Sequence, residues 1–338
     1  MSTIVDVAKL AGVSRSTVSR VISNNGAVKP ETRAAVESAI EQLNFTPSYF
    51  AQGIKTGKTK TLAMIVPDYS NVYFGDMFRG VEQVALKHGY MVMICNTEKS
   101  STRERNYTEE LLKRKVDGII YNTYKKNSEN IEYFFKLAKK MPVVFMDHLP
   151  FDGEQVPYVL TEGYESSKKA AKYLIGKGKS RIGYIRMPPY ISVVQHRYAG
   201  YKQGLIESGI EPDGDIVYQC PNNEVGKTHY EIGYEGAKAL MGKDNPPDAI
   251  MTSVDIMAVG AIRYLKTAGY RIPEDVSVIG FDDIALATIV EPNLTTIAQP
   301  TKRIGEEAAK ILIAKINGEE HVEEQIIFEP EFIERDSA

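Results

Sequence analysis

Two stretches of helical apolar spacing stand within the first 22 residues, separated only by a short turn around Gly12 and Val13. Ile4, Val7, Ala8 and Ala11 recur at the spacing of one helix face. Gly12 offers the left-handed conformation that helix stops favour, and Ser14 is an N-cap type for the second helix. Val18, Val21 and Ile22 make a second inward stripe. The segment therefore reads as two short helices joined by a tight turn. The outer face of the second helix carries Ser16, Ser19, Arg20 and Ser23, with Arg15 and Thr17 on its flanks. With no bulky apolar group there, the helix can approach a base-pair edge. Arginine can hold guanine through two hydrogen bonds, and hydroxyls suit phosphates or base edges. A third helix is expected from Pro30 and Glu31 at its start and Val36, Ile40 and Leu43 in its core, closed by Pro47.

Helical spacing alone also fits an ordinary three-helix corner, so charge enters the argument. Residues 1–60 hold eight Lys/Arg against four Asp/Glu, a net +4, whereas the whole chain carries −3, which leaves −7 on the remainder. A basic head on an acidic body is the asymmetry expected where one end meets phosphates. Residues 47–60 form a linker in which Phe50, Ala51 and Ile54 keep helical spacing. That piece is too short to be helical alone in water.

From residue 61 the 278 remaining residues alternate apolar runs with amphipathic stretches. Expected strands are 62–66, 91–95, 118–121, 143–146, 182–185, 216–218, 249–251, 276–279 and 295–297, with eight helices between them. Continuous apolar strands alternating with helices indicate parallel sheets covered on both faces. Ligands of such sheets lie beyond the carboxyl ends of the strands.

The N-terminal segment closely resembles the helix-turn-helix headpiece of the lactose-repressor family. The resemblance rests on Asp6-Val-Ala8, Ala11-Gly-Val-Ser14, Thr17-Val-Ser-Arg-Val21 and Lys29-Pro-Glu-Thr-Arg33. It continues through the body in Ile65–Asn71, Lys115–Ile120, Pro142–Asp147, Arg197–Tyr201, Ile272–Asp283 and Pro292–Pro300. The resemblance implies an α/β protein with a helix-turn-helix headpiece at 1–46, a hinge at 47–60 and a two-lobed core at 61–338. That core would be like periplasmic sugar-binding proteins and built of doubly wound parallel sheets. Lobe 1 is expected at about 61–161 and 292–320, and lobe 2 at about 162–291 and 321–338. It further implies base reading by Arg15, Ser16 and Arg20, phosphate contacts by Thr17 and Ser19, and Ile54 as a minor-groove wedge. Ser48, Gln52 and Ile54 depart from the family's usual asparagine, arginine and leucine.

The family's effector lies between the lobes, and its contacts fall here on Asp68, Tyr69, Ser70, Asn71, Tyr73, Phe74, Asp147, Arg197, Asp282 and Gln299. Carboxylates, amides and arginine share hydrogen bonds with adjacent hydroxyls, and an aromatic ring covers an apolar face. Each also admits a structural role: Asp68 and Asp147 as caps, Asp282 and Asp283 in a turn, Phe74 in the core. Two departures make the pocket atypical, since Val254 stands at a common asparagine and Thr228, beside His229, at a common aromatic.

The implied protein is a sequence-specific DNA-binding regulator, a repressor. It would bind a palindromic operator as a homodimer under control of a sugar or sugar derivative. The five histidines show no metal spacing, and no nucleophile elbow or Walker loop occurs, so an enzyme, a cofactor and a metal are not expected. Two cysteines, no leader and no long apolar run point to a cytoplasmic protein without a membrane partner. The C-terminal 328–338 lacks apolar heptads.

Overall fold

The computed structural model describes residues 2–22, 28–46, 58–122, 130–147, 156–188, 191–220, 227–320 and 323–338. The chain divides into two units, Met1–Lys60 and Thr61–Ala338. In the first, α1 (Ile4–Leu10), α2 (Arg15–Ile22) and α3 (Pro30–Gln42) surround a small core. Thr3 and Asp6 close α1 with a reciprocal capping box. Gly12 has φ 65°, the left-handed value that glycine adopts without strain. Ser14 Oγ accepts the Thr17 backbone N–H at 3.2 Å and so caps α2. Val7, Val18 and Val36 are fully buried, joined by Ala8, Val21 and Ala39. Contrary to expectation, α3 stops before Pro47: it ends at Gln42, after which Asn44 turns left-handed at φ 45°. Asparagine tolerates that conformation, so a proline is not needed to end the helix. Ile54 and the other hinge positions from 47 to 57 lie outside the described residues.

The second unit contains two six-stranded sheets. The first is built from β1 (Thr61–Val66), β2 (Met91–Asn96), β3 (Gly118–Tyr121), β4 (Val143–Asp147), β5 (Tyr158–Thr161) and β11 (Gln325–Phe328), in the order β11-β5-β4-β3-β1-β2. All its pairs are parallel; Leu62 faces Val92 on one side and Gly118 on the other. The second comprises β6 (Ile182–Arg186), β7 (Val217–Gln219), β8 (Ala249–Thr252), β9 (Ser277–Asp282), β10 (Thr295–Ala298) and β12 (Glu331–Ile333). Its order is β12-β10-β9-β8-β6-β7, parallel except for the β12 edge. β1, β3 and β4 are buried almost throughout, as strands covered on both faces must be.

Helices α4 (Val72–Lys87), α5 (Ser101–Lys113), α6 (Ile131–Ala138) and α11 (Thr301–Asn317) belong to the first lobe. Helices α7 (Tyr164–Gly176), α8 (Ser192–Glu207), α9 (His229–Met241) and α10 (Asp255–Thr267) belong to the second. Leu62, Met64, Val144, Ile304 and Leu312 share one core, each such buried side chain contributing about 1.5–3 kcal/mol. Reciprocal glycines set the closest helix pairs. A Cβ on Gly233 of α9 would clash with the Met257 carbonyl, and one on Gly260 of α10 with the Tyr230 carbonyl.

The sheet order corrects the expected lobe boundaries. Thr295–Ala298, assigned to lobe 1, pairs with β9 in the second sheet; Gln325–Phe328, assigned to lobe 2, pairs with β5 in the first. The crossings therefore fall near 162, 299 and 329. An apolar strand reads the same in either sheet, because local pattern does not name its pairing partner.

Candidate functional site

On the headpiece, α2 presents the polar ridge read from the sequence. Arg15, Ser16 and Arg20 are exposed, while Thr17 and Ser19 are partly covered. Val18 and Val21 anchor the opposite face in the core, which fixes the direction of the ridge. Ser14 Oγ lies 2.7 Å from Ser16 Oγ and 2.9 Å from Thr17 Oγ1, so these hydroxyls are held in one chain at the helix start.

In the core unit, the strand order reverses between β1 and β3 in one sheet and between β6 and β8 in the other. Ligands of doubly wound sheets occupy the crevice at such switch points. A cavity of about 580 Å³, open mouth included, lies there and is lined from both lobes. From the first lobe come Asp68, Asn71, Tyr73, Phe74 and Asp147, with Lys99 and Asn122. The second contributes Arg197 and Asp282, together with Met187, Val194, His229 and Val254.

Hydrogen bonds tie the polar groups into a network. The Tyr73 hydroxyl donates to Asp147 Oδ1 at 2.7 Å, and Asn122 Nδ2 approaches Asp147 Oδ2 at 3.5 Å. Arg197 Nη1 donates to the Ser253 carbonyl at 2.6 Å and reaches Asp282 Oδ1 at 3.4 Å, with Cζ 3.7 Å from the Phe281 ring centroid. Gln299 does not line the cavity; it acts behind it, donating to Asp282 Oδ1 at 2.7 Å. Asp147 (φ 71°) and Asp282 (φ 125°) end their strands in conformations that cost a non-glycine residue about 1–3 kcal/mol, strain characteristic of binding sites. Burial drives the Asp282 carboxyl well above the ordinary carboxylate range against the opposing Arg197 charge, with Asp255 adding to the rise. Burial and the nearby Lys99 ammonium push the His229 imidazole down to about 4, so it stays neutral. Lys99 Nζ lies 3.5 Å from His229 Nε2 and 3.9 Å from Asp68 Oδ2, bringing the two lobes together at that end.

Besides Gln299, two expected effector positions lie outside the cavity lining. Tyr69 is 66% exposed and Ser70 turns its hydroxyl to Asp68 Oδ1 at 2.6 Å, because both sit on the outer side of the turn that enters α4. Asn71 both lines the cavity and caps α4, accepting the Tyr73 N–H at 3.1 Å. Phe74 also joins the lobe core. Lys99, Asn122, Met187 and His229 are cavity residues that the sequence does not mark. Asn122 and Met187 directly follow switch-point strands and become accessible to the strand-end rule once the sheet order is known; Lys99, in the connection after β2, and His229, the first residue of α9, carry no such signal. Among the described residues no cluster of His, Cys, Asp and Glu could hold a metal ion, and no helix is long and apolar enough to cross a membrane.

Residues 3–48 match the family model "Bacterial regulatory proteins, lacI family", and residues 171–338 match "Periplasmic binding protein-like domain". The HTH-type transcriptional repressor PurR of Mannheimia succiniciproducens is 34% identical over 339 residues, spanning all of this chain and 98% of that protein. The chain belongs to the lacI family of bacterial regulatory proteins. The Escherichia coli ribose operon repressor, also 34% identical, matches over 342 residues and the full length of both proteins. Among solved structures, a complex of the regulator CelR with cellobiose is 28% identical, covers both chains fully and superposes with a TM-score of 0.74. The lac repressor dimer bound to operator and an anti-inducer, 23% identical over 99% of this chain and 98% of that one, shares the fold at a TM-score of 0.88. This lacI-family member is accordingly a DNA-binding transcription regulator and not an enzyme.

Proposed function

We propose that this regulator is a cytoplasmic repressor that reads a palindromic operator as a homodimer, controlled by a sugar or sugar derivative held between the lobes. One observation carries the effector assignment: Asp147 at the end of β4 and Asp282 at the end of β9, from different sheets, face one cavity with Arg197. Paired carboxylates and a guanidinium accept and donate to neighbouring hydroxyls, and Phe74 offers the apolar face a sugar ring needs. Relatives named for the ribose operon and solved with cellobiose support the same class.

The exposed ridge of Arg15, Ser16 and Arg20 supports the base-reading role, with Thr17 and Ser19 at phosphates. Ile54 retains its proposed place as the minor-groove wedge. Homodimer formation is supported by apolar surface on the first lobe, where Leu86, Met91, Met93 and Ile94 stand 62, 72, 39 and 43% exposed at an edge strand and its neighbouring helix. Effector and operator then couple reciprocally, typically by about 1–3 kcal/mol.

The test is a band-shift titration on the DNA upstream of the protein's own gene, with and without candidate sugars. Binding that weakens steeply with salt and shifts with one sugar is expected. Salt-insensitive binding, or none, would count against the operator reading.

A further inference from the structure

We propose that Val193 and Val254 form an apolar wall of the effector cleft, which selects a sugar bearing an apolar substituent. This rests on the cleft reading above and deepens it by naming the ligand's chemistry: a deoxy sugar, or a sugar capped as an alkyl or aryl glycoside.

The charged groups of the cavity gather at one place. Burial raises the Tyr73 phenol most, and the charges of Asp147, Asp282 and Arg197 all act on it. Beside them the lining changes character. Met187, Ile191, Val193, Val194 and Val254, all from the second lobe, line the same cavity. Met187, Ile191 and Val194 belong to that lobe's buried core, and Val193 and Val254 are half-buried side chains packed on it. The core of the second lobe therefore surfaces in the cleft. From the first lobe, Pro67 and Phe74 add further apolar surface.

Two connections place this wall against the polar cluster. Val193 and Val194 precede Arg197 on one face of α8. They lie about one turn, roughly 4.5–6 Å, nearer the helix start, about the width of one sugar ring. Val254 directly follows Ser253, whose carbonyl accepts Arg197 Nη1 at 2.6 Å. Its own carbonyl accepts the Thr252 hydroxyl at 2.9 Å and the Met257 N–H at 3.1 Å, which holds the backbone in place. Valine is stiff at χ1, so the wall has a set shape. A sugar held by Arg197, Asp147 and Asp282 thus presents its far side to aliphatic carbon. A hydroxyl pressed there gives up its water and finds no partner on those side chains, whereas a methyl, alkyl or aryl group gains by leaving water. The asparagine common in the family at the place of Val254 would serve a hydroxyl; the valine serves carbon.

The experiment is a thermal-shift titration of the full-length protein with glucose, galactose and ribose, the matching terminal-deoxy sugars, the methyl and phenyl glycosides of each, and free phenol. It is repeated on Val193→Thr and Val254→Thr, singly and together, since threonine keeps the shape of valine and adds a hydroxyl. A deoxy sugar or a glycoside is expected to bind about tenfold or more tighter than its parent sugar, because one methylene in an apolar pocket is worth about 10–200-fold. The deoxy and glycoside arms tell the two sources of the apolar group apart. The double variant should erase most of that preference and leave binding of the parent sugar unchanged; the single variants keep the comparison should the double variant unfold. A preference that survives the threonines places the substituent elsewhere and overturns the proposal, as does an equal loss for parent and derivative. Parent sugars that bind as well as every derivative overturn it and leave the cleft reading standing. A shift that phenol alone reproduces marks non-specific apolar binding and overturns it too. No shift with any compound overturns both.

Discussion

Tyr73 and Asp147 are joined by a 2.7 Å hydrogen bond that ties the first turn of α4 to the end of β4. Burial first, and the Asp147 charge next, hold the Tyr73 phenol well above its ordinary value, so it remains a neutral donor. Removing only the hydroxyl leaves a buried carboxylate oxygen short of a partner, which costs about 1–3 kcal/mol. Tyr73→Phe should therefore destabilise the ligand-free protein by that amount in a urea melt, with an unchanged dependence on denaturant. A variant as stable as wild type would show that Asp147 has other support.

Arg20 stands exposed on the α2 ridge. If it reads a base, Arg20→Ala should weaken specific operator binding by about 1–3 kcal/mol while leaving effector-induced thermal shifts intact. Equal loss on unrelated DNA, with a salt slope shallower by about one, would reassign the residue to a phosphate.

His229 and Asp255 give opposite signatures in pH. The folded value of His229 is lowered to about 4, so the unfolded chain takes up its proton first. Stability from this group is complete above about 6.5 and falls as pH drops toward 4, by up to about 1.4 kcal/mol per pH unit. Asp255 is raised to about 6 by burial, which its bonds from Thr296 Oγ1 and the Ile284 N–H oppose. Its folded state binds the proton first, and stability is lost as pH rises from about 4 to 6. Chemical denaturation of His229→Gln and wild type in parallel isolates the first effect, because Asp255 is common to both. The variant should gain relative stability as pH falls below 6.5, and a difference independent of pH would contradict this account.

Gly233 and Gly260 permit α9 and α10 to touch. Gly233→Ala puts a methyl group against the Met257 carbonyl, so the helices must part. A loss of about 1–3 kcal/mol or more is expected by denaturant unfolding, despite alanine's better helix propensity. Gly214→Ala, with open space at its Cβ, serves as the control and should change little.

Met91 and Met93 lie on the β2 edge. Replacing both with glutamate should shift the protein from dimer toward monomer in sedimentation experiments, because like charges would face each other across a two-fold interface. An undisturbed dimer would place the contact elsewhere.

Much of the site is readable because strand ends are readable. The apolar run of β1 stops at Val66, and Asp68, Asn71, Tyr73 and Phe74 carry the chain from there into the cavity. The same local logic cannot separate Asn71 from Tyr69 and Ser70, since which side of a turn faces a cavity depends on the opposite lobe. Gln299 is legible as a site residue, but its position behind Asp282 depends on a crossing between lobes. His229 stands out in the sequence only as the neighbour of a departure; its partner Lys99 is 130 residues away.

The sequence by itself determined the three headpiece helices, the outward ridge of α2 and the alternation that builds parallel sheets, because these depend on residue spacing along one element. Tertiary structure alone decided which sheet received β10 and β11, and which side chains converge on the cleft. Pairing between distant strands and contacts across two lobes are set by mutual burial, and no short stretch of chain encodes that.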